Sequence, residues 1–375
     1  MTENSLPGTE STALMREVLQ RIATGPTMSK DLSVDQARAA MRLVLEQKSD
    51  PVQSALFLIA LRMKRETDAE MQGVTEAILQ GTCTLSVDCE AMITLADPYD
   101  GYIRSLPASP FIPAVLAACG VPVVTHGIDS IGPKHGLSVK RVLQSAGIPV
   151  DHTLETAAEL LSGADATWCY LDQSVVAPEL AALQLLREQM VKRPCITTIE
   201  KGLMPLSAAR RNHFITGYVH KAYPDVYASL ARSTGFDTAG FIKGIEGGVV
   251  PTVAQVSRYF QWSSSDNALE KIRIVPEDIR IQQSSRCVDM PEGVLQLDEL
   301  GRPVSSSIEA LAKSTAAEGV KALKGSRSIM YDCIVLGASV SLASFRGIGI
   351  EEASGTVRQV LDNGRAAEVF ESRRN

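Results

Sequence analysis

The chain carries none of the short signatures that announce a common chemistry. Its 375 residues contain no P-loop, no Rossmann fingerprint and no nucleophile triad. Seven cysteines (Cys83, Cys89, Cys119, Cys169, Cys195, Cys287, Cys333) are odd in number and never stand in a CxxC pair. That pattern fits buried thiols in a reducing compartment better than a disulfide framework or a zinc site. No run approaches the length of a membrane span, and the polar opening MTENSLPGTEST lacks an apolar core of signal type, so a cytoplasmic protein with no membrane contact is expected. Internal repeats and low-complexity segments are absent too. Positive charge is in short supply: 37 Lys and Arg against 43 Asp and Glu leave a net charge of −6. This argues against polyanion binding over the whole surface but leaves room for a local basic patch.

What is present describes a globular protein, 45% hydrophobic and 21% charged, long enough for more than one domain. Residues 1–10 read as a frayed tail. Helical periodicity begins near Thr12, with Met15, Val18, Leu19 and Ile22 on one face, and Gly25-Pro26 breaks it. Ser33 with Gln36 makes a capping-box-like start to a second helix. A third follows Pro51, and Thr67 caps a fourth. Residues 11–85 are therefore expected to form a small all-helical domain. From Ile93 onward short apolar runs alternate with helical segments, which points to an α/β domain with a mostly parallel sheet over residues 90–177 and 206–375. Strands are expected near 121–125, 166–171, 214–219, 241–245, 253–262 and 272–275. Ser138 and Thr153 start helices, residues 177–191 form a longer one, and three more close the chain around 308–323, 329–345 and 351–361.

Residues 95–127, LADPYDGYIRSLPASPFIPAVLAACGVPVVTHG, read as strand, loop, helix and second strand. The loop carries Asp97, Asp100 and Gly101, and Ser109 stands where it can cap the following helix. Two strand ends bracketing a helix N-terminus would make a phosphate or sugar-phosphate site. An ordinary turn built from Asp, Pro and Gly explains the same residues.

Leu61-Arg62-Met63-Lys64-Arg65-Glu66-Thr67, followed by Glu70 and Gly73, resembles the LRMKGET…E…G segment joining the third and fourth helices of anthranilate phosphoribosyltransferases. The resemblance continues in order through His126-Gly127, the helix containing Arg187, residues 200–205, Lys324-Gly325 and the helix start at Asp332. It implies the nucleoside-phosphorylase-type fold of the glycosyl and phosphoribosyl transferases. In that fold a helical domain, completed by a helix near residues 178–205, packs on a larger α/β domain, and a homodimer often forms through the helical part.

The resemblance falters where that family does its chemistry. Its enzymes hold phosphoribosyl pyrophosphate on a GTGGDG loop, and here the stretch is Ala96-Asp97-Pro98-Tyr99-Asp100-Gly101. Proline removes an N–H donor, while tyrosine and aspartate put bulk and negative charge where pyrophosphate would sit. The lysine before His-Gly is Thr125, and the acidic pair that binds magnesium in the enzymes is replaced near Val249-Val250-Pro251. Losing one positioned donor costs roughly 10²–10³ in rate. The combined losses imply poor or absent anthranilate transfer unless Glu246 or Asp97 substitutes, and magnesium only if the sugar donor is bound.

The resemblance implies a substrate set of Asp100, Gly101, Ser109, His126, Gly127 and Lys134 on the donor side, with Arg187 facing the acceptor. The ligand would be a phosphorylated sugar or a small aromatic molecule. An arginine on an apolar helix is equally a surface charge. A second reading starts from residues 187–221, where Arg187, Lys192, Arg193, Lys201, Arg210, Arg211 and Lys221 face only Glu188 and Glu200, with His213 and His220 nearby. Such a patch can hold nucleic acid, or be a solvated face. The Asp-Pro-Tyr-Asp-Gly stretch also resembles a divergent branch of the family, which implies nucleic-acid binding in place of transfer.

Overall fold

The structure is a computed structural model, and it describes residues 9–25, 27–163 and 165–374. Most of the expected tail therefore lies outside the described residues. Four helices open the chain: α1 (Thr9–Ile22), α2 (Val34–Leu45), α3 (Pro51–Lys64) and α4 (Asp68–Gln80). The expected capping box of Ser33 with Gln36 forms on α2, and the expected Thr67 cap of α4 proves to be a capping box as well, with Glu70. Glu70 is fully buried and does more than cap. Its carboxylate also accepts from the Leu32 N–H and from Lys64 Nζ, tying the segment leading into α2 to the ends of α3 and α4.

A seven-stranded sheet follows: β1 (Ala91–Ala96), β2 (Val123–Gly127), β3 (Trp168–Asp172), β4 (Arg211–Tyr218), β5 (Thr238–Lys243), β6 (Ser257–Ser263) and β7 (Leu269–Ile274). Their order across the sheet is β7-β6-β5-β4-β1-β2-β3. The five strands β1 to β5 run parallel, whereas β6 and β7 extend the edge in antiparallel fashion. From β1 the chain builds outward through β2 and β3, then returns to place β4 on the other flank. That reversal opens a crevice at the carboxyl ends of β1 and β4, the place where such sheets hold ligands. One apolar cluster joins α1 to α4 with one face of the sheet, and a second fills the other face beneath the closing helices.

Local expectations are corrected in three places. The long helix over 177–191 is broken into Gln173–Val176, Pro178–Ala181 and Gln184–Met190, because Ala177, preceding Pro178, leaves the helical region (φ −143°, ψ 74°). This segment nevertheless returns to the helical bundle, where Glu179 pairs with Arg42 at 2.7 Å. The Ile329–Arg346 helix is long and apolar enough to cross a membrane, contrary to the reading of the sequence, but 83% of it is buried inside the fold as a core helix. A further closing helix, Arg365–Glu371, follows the three expected ones.

Candidate functional site

The loop after β1 is welded into the protein. Asp97 is buried at the strand end, and its carboxylate accepts from the Tyr102 hydroxyl (2.7 Å), the Ser109 hydroxyl (2.5 Å) and the Val249 N–H (3.0 Å). Burial raises its pKa, and those three donors with the Lys201 ammonium pull it back only in part. Ser109 therefore does not cap the helix that follows. It sits in the turn Ser109–Phe111 with its hydroxyl turned back to Asp97, and the Ile112–Ala118 helix has no side-chain cap.

Tyr99, in the same loop, is buried. Its ring packs with Ile128 and Ile131 and meets His126 edge-on, with centroids 5.8 Å apart. Burial, helped by the Glu200 and Asp172 carboxylates, holds the phenol well above its ordinary pKa, so it stays neutral and shares a hydrogen bond with His126 Nδ1. Burial likewise depresses His126 to about 4, against a slight pull upward from the Leu203 backbone. Its Nε2 is buried without a well-formed hydrogen bond. The imidazole is thus a neutral, tyrosine-bound side chain at physiological pH.

The other donor-side residues are also committed. Gly101 has φ +71°, and a Cβ there would lie 2.7 Å from the Gly136 carbonyl, so this close approach requires glycine. The Gly136 N–H bonds the Asp100 carbonyl at 2.9 Å, and Tyr102 pairs with Leu137, which stitches the two loops together. Lys134 Nζ donates to the Gly101 carbonyl and lies 3.5 Å from Asp100 and 3.6 Å from Glu246. Arg193 reaches from the interdomain segment to hold the Asp100 carboxylate. Glu246 accepts from the Ile103 and Arg104 N–H groups and the Ser105 hydroxyl at 3.0–3.2 Å. Among the described residues no three His, Cys, Asp or Glu side chains gather as a metal site. The residues present therefore do not fit magnesium with a pyrophosphate donor, since each cleft carboxylate already has its donors.

Arg187 is neither a surface charge nor open to an acceptor. It is buried, and its guanidinium forks onto Glu200 at 2.6 and 2.9 Å, with Gln173 on the same carboxylate. Only its Nε is left without a partner. The basic run is dispersed as well. Lys201 is buried beneath Tyr227 with its Nζ bonded to the Gly217 carbonyl, and burial lowers its pKa to about 8. Arg193 is taken by Asp100, Arg210 pairs with Glu90 at 2.9 Å, and Arg211 stacks on Phe345. His213 is in the core between Thr238 and Ser344. Lys192 and Lys221 remain exposed. Tyr102 and Gln173 were not singled out in the sequence, and Glu200 entered only as an acid within the basic run, because their partners are distant.

A bundle of helices on a doubly wound sheet, with loops gathered at the switch point, defines a glycosyl-transferase-type architecture. Residues 16–81 match the model of the glycosyl transferase family, helical bundle domain. Anthranilate phosphoribosyltransferase of Rhodococcus jostii (strain RHA1) is 25% identical over 92% of this chain and 89% of its own. An uncharacterized protein of Aquifex aeolicus (strain VF5) is 29% identical over 59% of this chain, which spans 65% of that protein. Anthranilate phosphoribosyltransferase from Saccharomyces cerevisiae, solved in complex with phosphoribosyl pyrophosphate and magnesium, superposes with a TM-score of 0.71 at 14% identity, covering 96% of each chain. Over nearly its whole length the chain is similar to the anthranilate phosphoribosyltransferase-like glycosyl transferases.

Proposed function

We propose that this protein keeps the phosphoribosyltransferase framework without its usual reaction, and that the cleft binds a small ligand in place of transferring phosphoribose to anthranilate. The observation that carries this reading is Tyr99, whose side chain is buried against His126 in the donor space. The internal pairing of Asp97, Asp100 and Glu246 supports it, because a pyrophosphate would have to displace those bonds without gaining a metal. A cavity of about 350 Å³, lined by His135, Arg141, Glu188, Asp298 and Arg302, lies against the Gln184–Met190 helix and suits a small aromatic or singly phosphorylated sugar ligand.

A homodimer through the helical part is consistent with Val52, Leu56 and Met63, which stand exposed on one side of α3. The nucleic-acid alternative through Lys192, Arg193, Lys201, Arg210 and Arg211 has little support, since those side chains do not share one open face.

The test is calorimetric titration with phosphoribosyl pyrophosphate, with and without magnesium, alongside an anthranilate-consumption assay. No magnesium-dependent binding and no turnover are expected. Magnesium-dependent saturation or anthranilate consumption would refute the reading. Oligonucleotide binding that weakens steeply with salt and is lost on charge reversal at Arg210 and Arg211 would favour the alternative.

A further inference from the structure

Away from the cleft, on the antiparallel edge of the sheet, Lys243, Arg258, Lys271, Arg273 and Arg286 line one open bowl of about 380 Å³. Its position follows from the strand register. Arg258 on β6 stands opposite Arg273 on β7, and Lys271 opposite Phe260. Lys243 follows Ile242, whose partner is Tyr259, and so comes abreast of Arg258 from β5. Like charges facing each other across strands are destabilising, and here they line up over three adjacent strands.

Among the described residues none of the five makes an ion pair. Glu270, the acidic residue of β7, lies opposite Gln261 in the register and points to the other face. Thr252, more than nine-tenths buried in the wall, accepts the Ala254 N–H through its hydroxyl oxygen and keeps its O–H to donate.

We propose that this bowl is a binding site for a compact ligand carrying a di- or triphosphate group. Five converging cations call for several negative charges close together, and a single monoanion would leave most of the repulsion in place. Guanidinium groups suit phosphate oxygens in a forked geometry, and three of the five are arginines. The volume falls in the range of small-molecule pockets, and the charges converge in a bowl where a nucleic-acid strand would need a track. This inference is independent of the reading of the cleft, because the bowl shares no side chain with Asp97, Tyr99, Asp100, His126 or Glu246.

The experiment titrates inorganic tripolyphosphate into the full chain in metal-free buffer, by calorimetry. Saturable one-to-one binding is expected, at least about tenfold tighter than that of orthophosphate. The Arg258→Gln/Arg273→Gln double variant should weaken it by about tenfold or more, while its unliganded Tm stays level or rises as the repulsion is removed. A Lys192→Gln/Arg210→Gln variant should bind as the parent does. Should the double variant fold poorly, Lys271→Gln at an exposed position should still weaken binding severalfold. Absence of saturable binding, equal affinity for orthophosphate, or unchanged affinity in the bowl variants would overturn the proposal. So would a single-stranded oligonucleotide that binds the bowl more tightly, per phosphate, than tripolyphosphate does.

Discussion

Arg187 and Glu200 form a buried, forked ion pair whose worth lies in its being complete. Removing one partner leaves a buried charge, a loss of about 3–5 kcal/mol, whereas replacing both by apolar residues of similar volume is often neutral. Arg187→Met alone should therefore lower the urea midpoint sharply, and Arg187→Met with Glu200→Leu should recover most of it. Equal losses in the two variants would refute the pairing. His126, depressed to about 4, and His213, depressed to about 3, give a pH signature. Between these values and the ordinary histidine value near 6.5 the unfolded chain binds more protons. Stability from these residues is fully present above pH 6.5 and is lost as pH falls toward 4, by roughly 3 kcal/mol for His126. The raised pKa of buried Asp97 acts in the opposite sense, adding stability at low pH that is lost as pH rises through its folded value. Denaturant midpoints between pH 7.5 and 4.5 should fall, and His126→Gln should flatten the slope. A pH-independent midpoint would contradict the buried neutral imidazoles.

Elements were the most legible level. Capping side chains such as Ser33, Thr67, Ser138 and Thr153 act on backbone N–H groups three residues away, so their effect is written locally and each is found in place. The helix over 177–191 was misread because a periodic apolar pattern hid the restriction that Pro178 puts on Ala177. Helix α3 carries its own test at this scale. Val52 (75% exposed), Leu56 (44%) and Met63 (78%) lie four and seven residues apart on one stripe. Leu56→Glu should shift the particle from dimer to monomer in light scattering without changing its helical circular dichroism. A parent chain that is monomeric at micromolar concentration would dispose of the dimer.

Across the whole molecule, the sequence by itself determined the helical bundle, the alternation of strands and helices, and the loss of the glycine loop at Ala96 to Gly101. These are patterns of period, capping and composition, readable from residues within one or two turns of each other. Only the tertiary structure decided what the charged residues do. Asp97 meets Val249 across 152 residues, Glu246 meets Ile103 across 143, and Arg193 meets Asp100 across 93. A run of seven bases that reads as one patch is divided by the fold into two buried side chains (Arg187, Lys201), two paired ones (Arg193, Arg210), one stacked on a ring (Arg211) and two exposed ones (Lys192, Lys221). The five cations of the bowl came together only when β5, β6 and β7 fell into register. Charge acts through space, and spatial neighbours are set by strand order and loop closure, which no local window of sequence contains.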